Sequence, residues 1–181
     1  MFRTKTTLFA IASLALVLPA GLNAQTFAAT GTTSVSVSVA AEASLSVGTA
    51  TTSLTTTGTI FNDFTGTTNL TYKVRTTKIG GGGTITAQVT TDFTGNGPSV
   101  ANSGTTGDTL SYTCTAASPA TGCSSSQTAS TTSSTTVASF GTNAHSAKAG
   151  NSSSLSWTLV NDPSYETGTY TATVTFTISA T

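Results

Sequence analysis

Few residues in this chain could do chemistry, and their spacing argues against most of it. The one histidine, His145, sits in the polar stretch GTNAHSAKAG. A copper or zinc centre built on imidazole needs more than one such ligand, so His145 reads as a solvated loop residue. The six acidic residues stand singly along the chain. They show neither the pairing of a glycosidase nor the spacing of a calcium loop. Serine is abundant, but no Gly-x-Ser-x-Gly elbow is present. The run Gly80 to Gly83 lacks the Lys and helix of a phosphate-binding loop and joins two strand-like stretches. It reads as a hairpin connection. No catalytic residue, cofactor site or metal site emerges, and the chain is expected not to be an enzyme.

Cys114 and Cys123 are the only cysteines. They flank the turn-rich TAASPATG, and their spacing matches neither a CxxC redox motif nor a zinc knuckle. In an exported chain the expectation is a disulfide. Closing a loop of about ten residues would contribute roughly 2.5–3 kcal/mol on the chain-entropy formula.

Export is predicted by the first 24 residues. Arg3 and Lys5 supply a positive start, Leu8 to Leu18 an apolar run, Pro19 and Gly21 a break, and Ala24 a small residue for cleavage. The apolar run is too short to span a bilayer, and none of comparable length follows. Residues 1–24 are thus read as a secretory signal of bacterial character. The mature chain is expected to be secreted or on the cell surface, with no transmembrane segment. Four basic and six acidic residues remain after it, without a basic patch, which argues against nucleic acid as a partner.

The elements that must position any site are strands. Thr and Ser number 45 and 25 of 181 residues, yet the apolar residues between them are ordered in period two. Val35, Val37, Val39, Ala41, Ala43, Leu45 and Val47 alternate with mostly Ser; Tyr170, Ala172, Val174, Phe176 and Ile178 alternate with Thr. Successive side chains on a strand point to opposite faces, so each stretch has an apolar and a polar face. The first stretch would run roughly 43 Å, more than twice an ordinary strand. Part of it is therefore free to serve something outside its own domain.

Further strands are predicted at 59–64, 69–77, 84–93, 109–115, 137–140 and 153–160, with turn signals between them and a low-complexity loop at 124–136. Seven or eight short strands without a helix predict an all-β protein, an immunoglobulin-like antiparallel β-sandwich; a closed barrel is the alternative. Trp157, Tyr170, Val174 and Phe176 are the expected core anchors. The Thr171, Thr173, Thr175 and Thr177 row reads as a wet outer face rather than an ice-binding one. Asn69-Leu70-Thr71 and Asn151-Ser152-Ser153 match the glycosylation sequon, as matches arise by chance in so Ser/Thr-rich a chain.

The segment ATGTTSVSVSVAAEASLSVG and the ending ETGTYTATVTFTISAT together resemble spore-coat-protein-U-type domains, which include subunits of archaic chaperone–usher pili. The resemblance covers about 35 residues at the two ends. It implies a sandwich lacking one strand, completed first by a periplasmic chaperone beside an outer-membrane usher, and in the fibre by the N-terminal segment of a neighbouring copy. That is β-strand addition, in which main-chain hydrogen bonds hold the strand and alternate side chains fill a groove. On this chain it implies residues 25–41 as an extension, with Val35, Val37, Val39 and Ala41 filling the groove, and residues 42–181 as the domain. The cysteine usual near the junction in that family is absent here, where the chain reads Ala43-Ser44-Leu45. Two functions remain open: a structural subunit polymerising head-to-tail with copies of itself into a pilus-like filament, and a self-contained adhesin or glycan-binding module.

Overall fold

A computed structural model describes residues 30–58, 60–100 and 108–181. The secretory signal read at 1–24 and the start of the extension lie outside them. The chain divides after Val37 into two compact units. In the first, residues 30–37 carry no regular secondary structure and are exposed.

The second unit is all β. Ten strands run in chain order: β1 (Glu42–Val47), β2 (Thr55–Thr56), β3 (Phe64–Arg75), β4 (Gly83–Thr91), β5 (Leu110–Ala116), β6 (Ala120–Gly122), β7 (Gln127–Thr128), β8 (Thr135–Phe140), β9 (Asn151–Leu159) and β10 (Thr173–Ile178). They form two antiparallel sheets, one ordered β1-β3-β9-β5-β7 with β2 also on β3, the other β10-β4-β8-β6. Seven strands have six or more residues; β2, β6 and β7 are two- or three-residue pieces that bring the total above the seven or eight expected. The sheets are separate, so the barrel alternative does not apply.

Alternation explains the layers. Along β3, Thr68, Leu70, Tyr72 and Val74 are buried while Thr67, Asn69, Thr71 and Lys73 face water. β9 does the same with Ser153, Leu155, Trp157 and Leu159. The apolar faces meet around Leu70, Tyr72, Ile85, Val89, Tyr112, Val137 and Leu155, all below 2% exposure. Buried phenols in such a core need partners. The Tyr72 hydroxyl donates to Ala117 O and accepts from Ala120 N at 3.2 Å; the Tyr112 hydroxyl lies 2.7 Å from Thr135 Oγ1.

Two local expectations are corrected. Of the strand expected at 59–64, residue 59 lies outside the described residues, Ile60 and Phe61 form an exposed turn with Phe61 at φ 55°, and only Phe64 belongs to a strand. The apolar pair belongs to a tip held by Asn62, whose Nδ2 donates to Thr57 O at 3.0 Å. The Gly80 to Gly83 connection is not a hairpin. β3 pairs with β1 and β9 and β4 with β10 and β8, so this loop carries the chain from one sheet to the other. Such a crossover passes close to other backbone: a Cβ on Gly83 would lie 2.1 Å from Ser179 O.

Candidate functional site

The two long sides of the sandwich differ. On one side Cys114 of β5 is joined to Cys123, just after β6, with Cα atoms 5.3 Å apart. This disulfide links the two sheets next to their β7 and β6 edges. On the other side β1 ends one sheet and β10 ends the other, each paired on one flank only. Their inward residues, Ala43 and Leu45 from β1 and Val174, Phe176 and Ile178 from β10, stay half-buried rather than buried.

Beside the Val47 end of β1 and the Val174 end of β10 lies a groove of about 1080 Å³, walled largely by the 49–54 and 161–172 segments and lined also by Val47, Phe64, Phe93, Trp157 and Phe176. Protein interiors have few voids larger than a water molecule, and ligand clefts run to roughly 300–1,000 Å³. The groove is half open to solvent, a surface cleft rather than an enclosed void.

Its floor is built from β3 and β9. Trp157 is 5% exposed, stacks at a tilt on Tyr112 with ring centroids 5.0 Å apart, and donates Nε1–H to Thr68 Oγ1 at 2.9 Å. Thr68 in turn lies 2.6 Å from Thr52 Oγ1, which ties the segment after β1 across the groove floor. Gly66 stands opposite Trp157, and a Cβ there would meet Leu54 Cδ2 and Ser53 O at 2.7 Å. The absent side chain lets the 51–54 segment lie against β3.

Its rim is polar and braced. Tyr165 donates its hydroxyl to Asp108 Oδ1 at 2.7 Å, and Asp108 Oδ2 accepts from Ser99 N at 3.0 Å. Asp92 Oδ1 accepts from Phe93 N and Val100 N, both at 2.8 Å, which fixes Phe93 at the groove wall. Burial first, and then the Asp108 carboxylate, push the Tyr165 phenol well above the ordinary tyrosine range. The corner before β10 is locked by Tyr170, whose hydroxyl donates to Glu166 O at 2.7 Å while its ring covers Gly97. The phenol thus ties the chain back to a carbonyl four residues upstream. Glu166 also accepts from Asn96 Nδ2 at 2.9 Å.

The expected residues fall in three places. Trp157 is in the core; Val174 and Phe176 pack against the core and line the groove; Tyr170 serves the corner that shapes the rim. Val35, Val37 and Val39 are exposed by 93%, 85% and 62%. Ala41 is half-buried, in phase with Ala43 and Leu45 of β1. Sequence reasoning missed Gly66, Thr68, Leu54 and Tyr165. The first two were within reach, because stepping back by twos from Leu70, Tyr72 and Val74 arrives at Thr68, Gly66 and Phe64.

The groove offers apolar walls, a free strand edge on each side and no cluster of three metal-ligating groups among the described residues. Apolar walls beside a strand edge can take up apolar side chains while the edge offers main-chain hydrogen bonds. Comparisons with protein-family models, with curated proteins and with solved structures found no match for this chain.

Proposed function

We propose that this protein is an exported structural subunit that polymerises by β-strand addition, the extension of one copy completing the sandwich of the next, to form a pilus-like surface filament. The observation that carries the reading is an apolar groove beside free strand edges in a chain that also carries an exposed segment of alternating apolar residues. A groove bordered by the Val47 end of β1 and the Val174 end of β10 sits in the same chain as a segment whose Val35, Val37 and Val39 alternate with Ser and lie exposed. Apolar side chains of this size gain roughly 1.5–3 kcal/mol each on full burial, and the free edge of β10 offers unpaired main-chain groups to a new strand. The contact is heterologous, so it propagates rather than closes. The resemblance at the two chain ends points the same way and adds a periplasmic chaperone and an outer-membrane usher as assembly partners.

The test is negative-stain electron microscopy with size-exclusion chromatography on the mature chain, on a chain lacking residues 25–41, and on Val37→Asp. Filaments are expected from the first alone, because a carboxylate at position 37 would be buried unpaired. Monomers from all three, equally stable to heat, would sink the fibre reading and turn the groove into the ligand site of a self-contained binding module.

A further inference from the structure

Exposed large hydrophobic side chains are not scattered over the domain. Among the described residues of the second unit they are Val39, Val47, Ile60, Phe61 and Ile79. The outer faces of both sheets carry Thr, Ser, Gln and Lys instead. Val39 belongs to the extension, and Val47 lines the groove. Ile60 with Phe61, which also borders the groove, stands just before β3, and Ile79 just after it; they are exposed by 86%, 56% and 88%. β3 has 12 residues and thus runs roughly 40 Å, so the two apolar spots occupy opposite ends of the sandwich.

Each end has a distinct relation to the strand addition proposed above. The groove lies toward the Phe64 end: Val47, Phe61, Phe64 and Val174 line it, whereas Ala43 and Ile178 do not. The Arg75 end is closed by the tail, with Thr181 O accepting from Thr77 N at 2.9 Å and Thr181 N donating to Gly82 O at 2.8 Å. An incoming strand therefore has its mouth at the Ile60–Phe61 end. The chain enters β1 at the other end. There Arg75 Nε donates to Ala40 O at 2.7 Å, and Arg75 Nη2 pairs with Glu42 at 3.0 Å. The root of each copy's donor segment is thereby held at that copy's Ile79 end.

Resting on the strand-addition reading, we infer that Ile79 of one copy seats against Ile60 and Phe61 of the next, a second contact that caps the groove mouth once the strand is in. A donor whose Ala41 end lies at the mouth carries its own Arg75 end, and with it Ile79, onto the neighbour's Ile60–Phe61 tip. Phe61 is held for this in a left-handed conformation that bulky residues rarely adopt. The tip is fixed by Asn161, whose Nδ2 donates to Asn62 O at 3.0 Å. One apolar spot at each end is what a head-to-tail contact requires, and a two-fold contact does not.

The test is cysteine pairing in assembled filaments. In Ile60→Cys/Ile79→Cys the two sites of one chain are too far apart to bridge, so any bond joins copies. After oxidation, denaturing non-reducing gels are expected to show a ladder of multimers that collapses to monomer on reduction, while each single variant runs as monomer. Circular dichroism on all three controls for folding. Wild-type filaments with no ladder from the double variant would overturn the second contact and leave strand addition standing. Dimers from Ile79→Cys alone would overturn it too, since like ends would then meet. If the wild type forms no filaments, both readings fall together.

Discussion

At the residue scale, the groove floor depends on one hydroxyl. Trp157 is buried opposite a glycine, and its indole N–H has Thr68 Oγ1 as partner. Replacing Thr68 by Val keeps the shape and strands the donor. A buried donor left without a partner costs about 1–3 kcal/mol, so Thr68→Val is expected to lower the unfolding free energy from urea titration by that much while Thr68→Ser stays near wild type. Equal loss in both would mean that packing rather than the hydrogen bond holds the indole. The phenols give a second expectation, in pH. Burial holds Tyr72, Tyr112 and Tyr165 above the ordinary tyrosine value. The folded state then keeps protons that the unfolded chain gives up near pH 10. Their contribution is fully present below about pH 10 and is lost as the pH rises further. Unfolding midpoints taken between about pH 8 and 11 should be flat and then fall; a flat line to the top of that range would refute the assignment. Which phenols are braced was not legible from the chain. Tyr72, Tyr112 and Tyr170 share the same alternating pattern, yet the first two are core and the third closes a corner, because its neighbour Gly97 lies more than 70 positions away in sequence.

At the element scale, the asymmetry between the two sides of the sandwich matters most. The disulfide holds the β5–β6 side, whereas β1 and β10 end their sheets without hydrogen-bonding to each other. These roles separate in a double Cys114→Ala/Cys123→Ala variant. Loss of the bridge should lower stability by roughly 2–3 kcal/mol without changing the groove, so filaments should still form at temperatures where the variant is folded. Failure of a folded variant to assemble would place the bridge in the assembly itself. The strands were legible because Thr/apolar alternation marks β3, β4, β5 and β9 within one to five residues of their ends. The turn at Ile60–Phe61 was not, since an apolar pair at a loop tip carries the same local signal as a strand. Nor was the sheet change at Gly80 to Gly83. Composition marks a break in the chain but not whether the next strand returns to the same sheet. The two-residue strands β2 and β7 follow from their partners' edges and have no signature of their own.

At the scale of the whole molecule, the proposed assembly sets a period-two segment into the groove, and phase would decide whether it fits. A strand shifted by one residue turns every apolar side chain to the wrong face. This permits a test in which composition is held constant. A synthetic peptide of residues 30–41 added to the assembling mature chain should occupy grooves and end filaments, shortening them as its concentration rises. A second peptide of the same residues, with its three valines placed in succession, has the same charge and mean hydropathy but cannot direct them to one face. It should leave filament length unchanged. Equal shortening by both would show that the groove takes apolar chain without regard to phase, and that alternation at Val35, Val37 and Val39 is not what recruits the neighbouring copy. Shortening by the native order alone would tie recruitment of the neighbouring copy to the alternate placement of those valines.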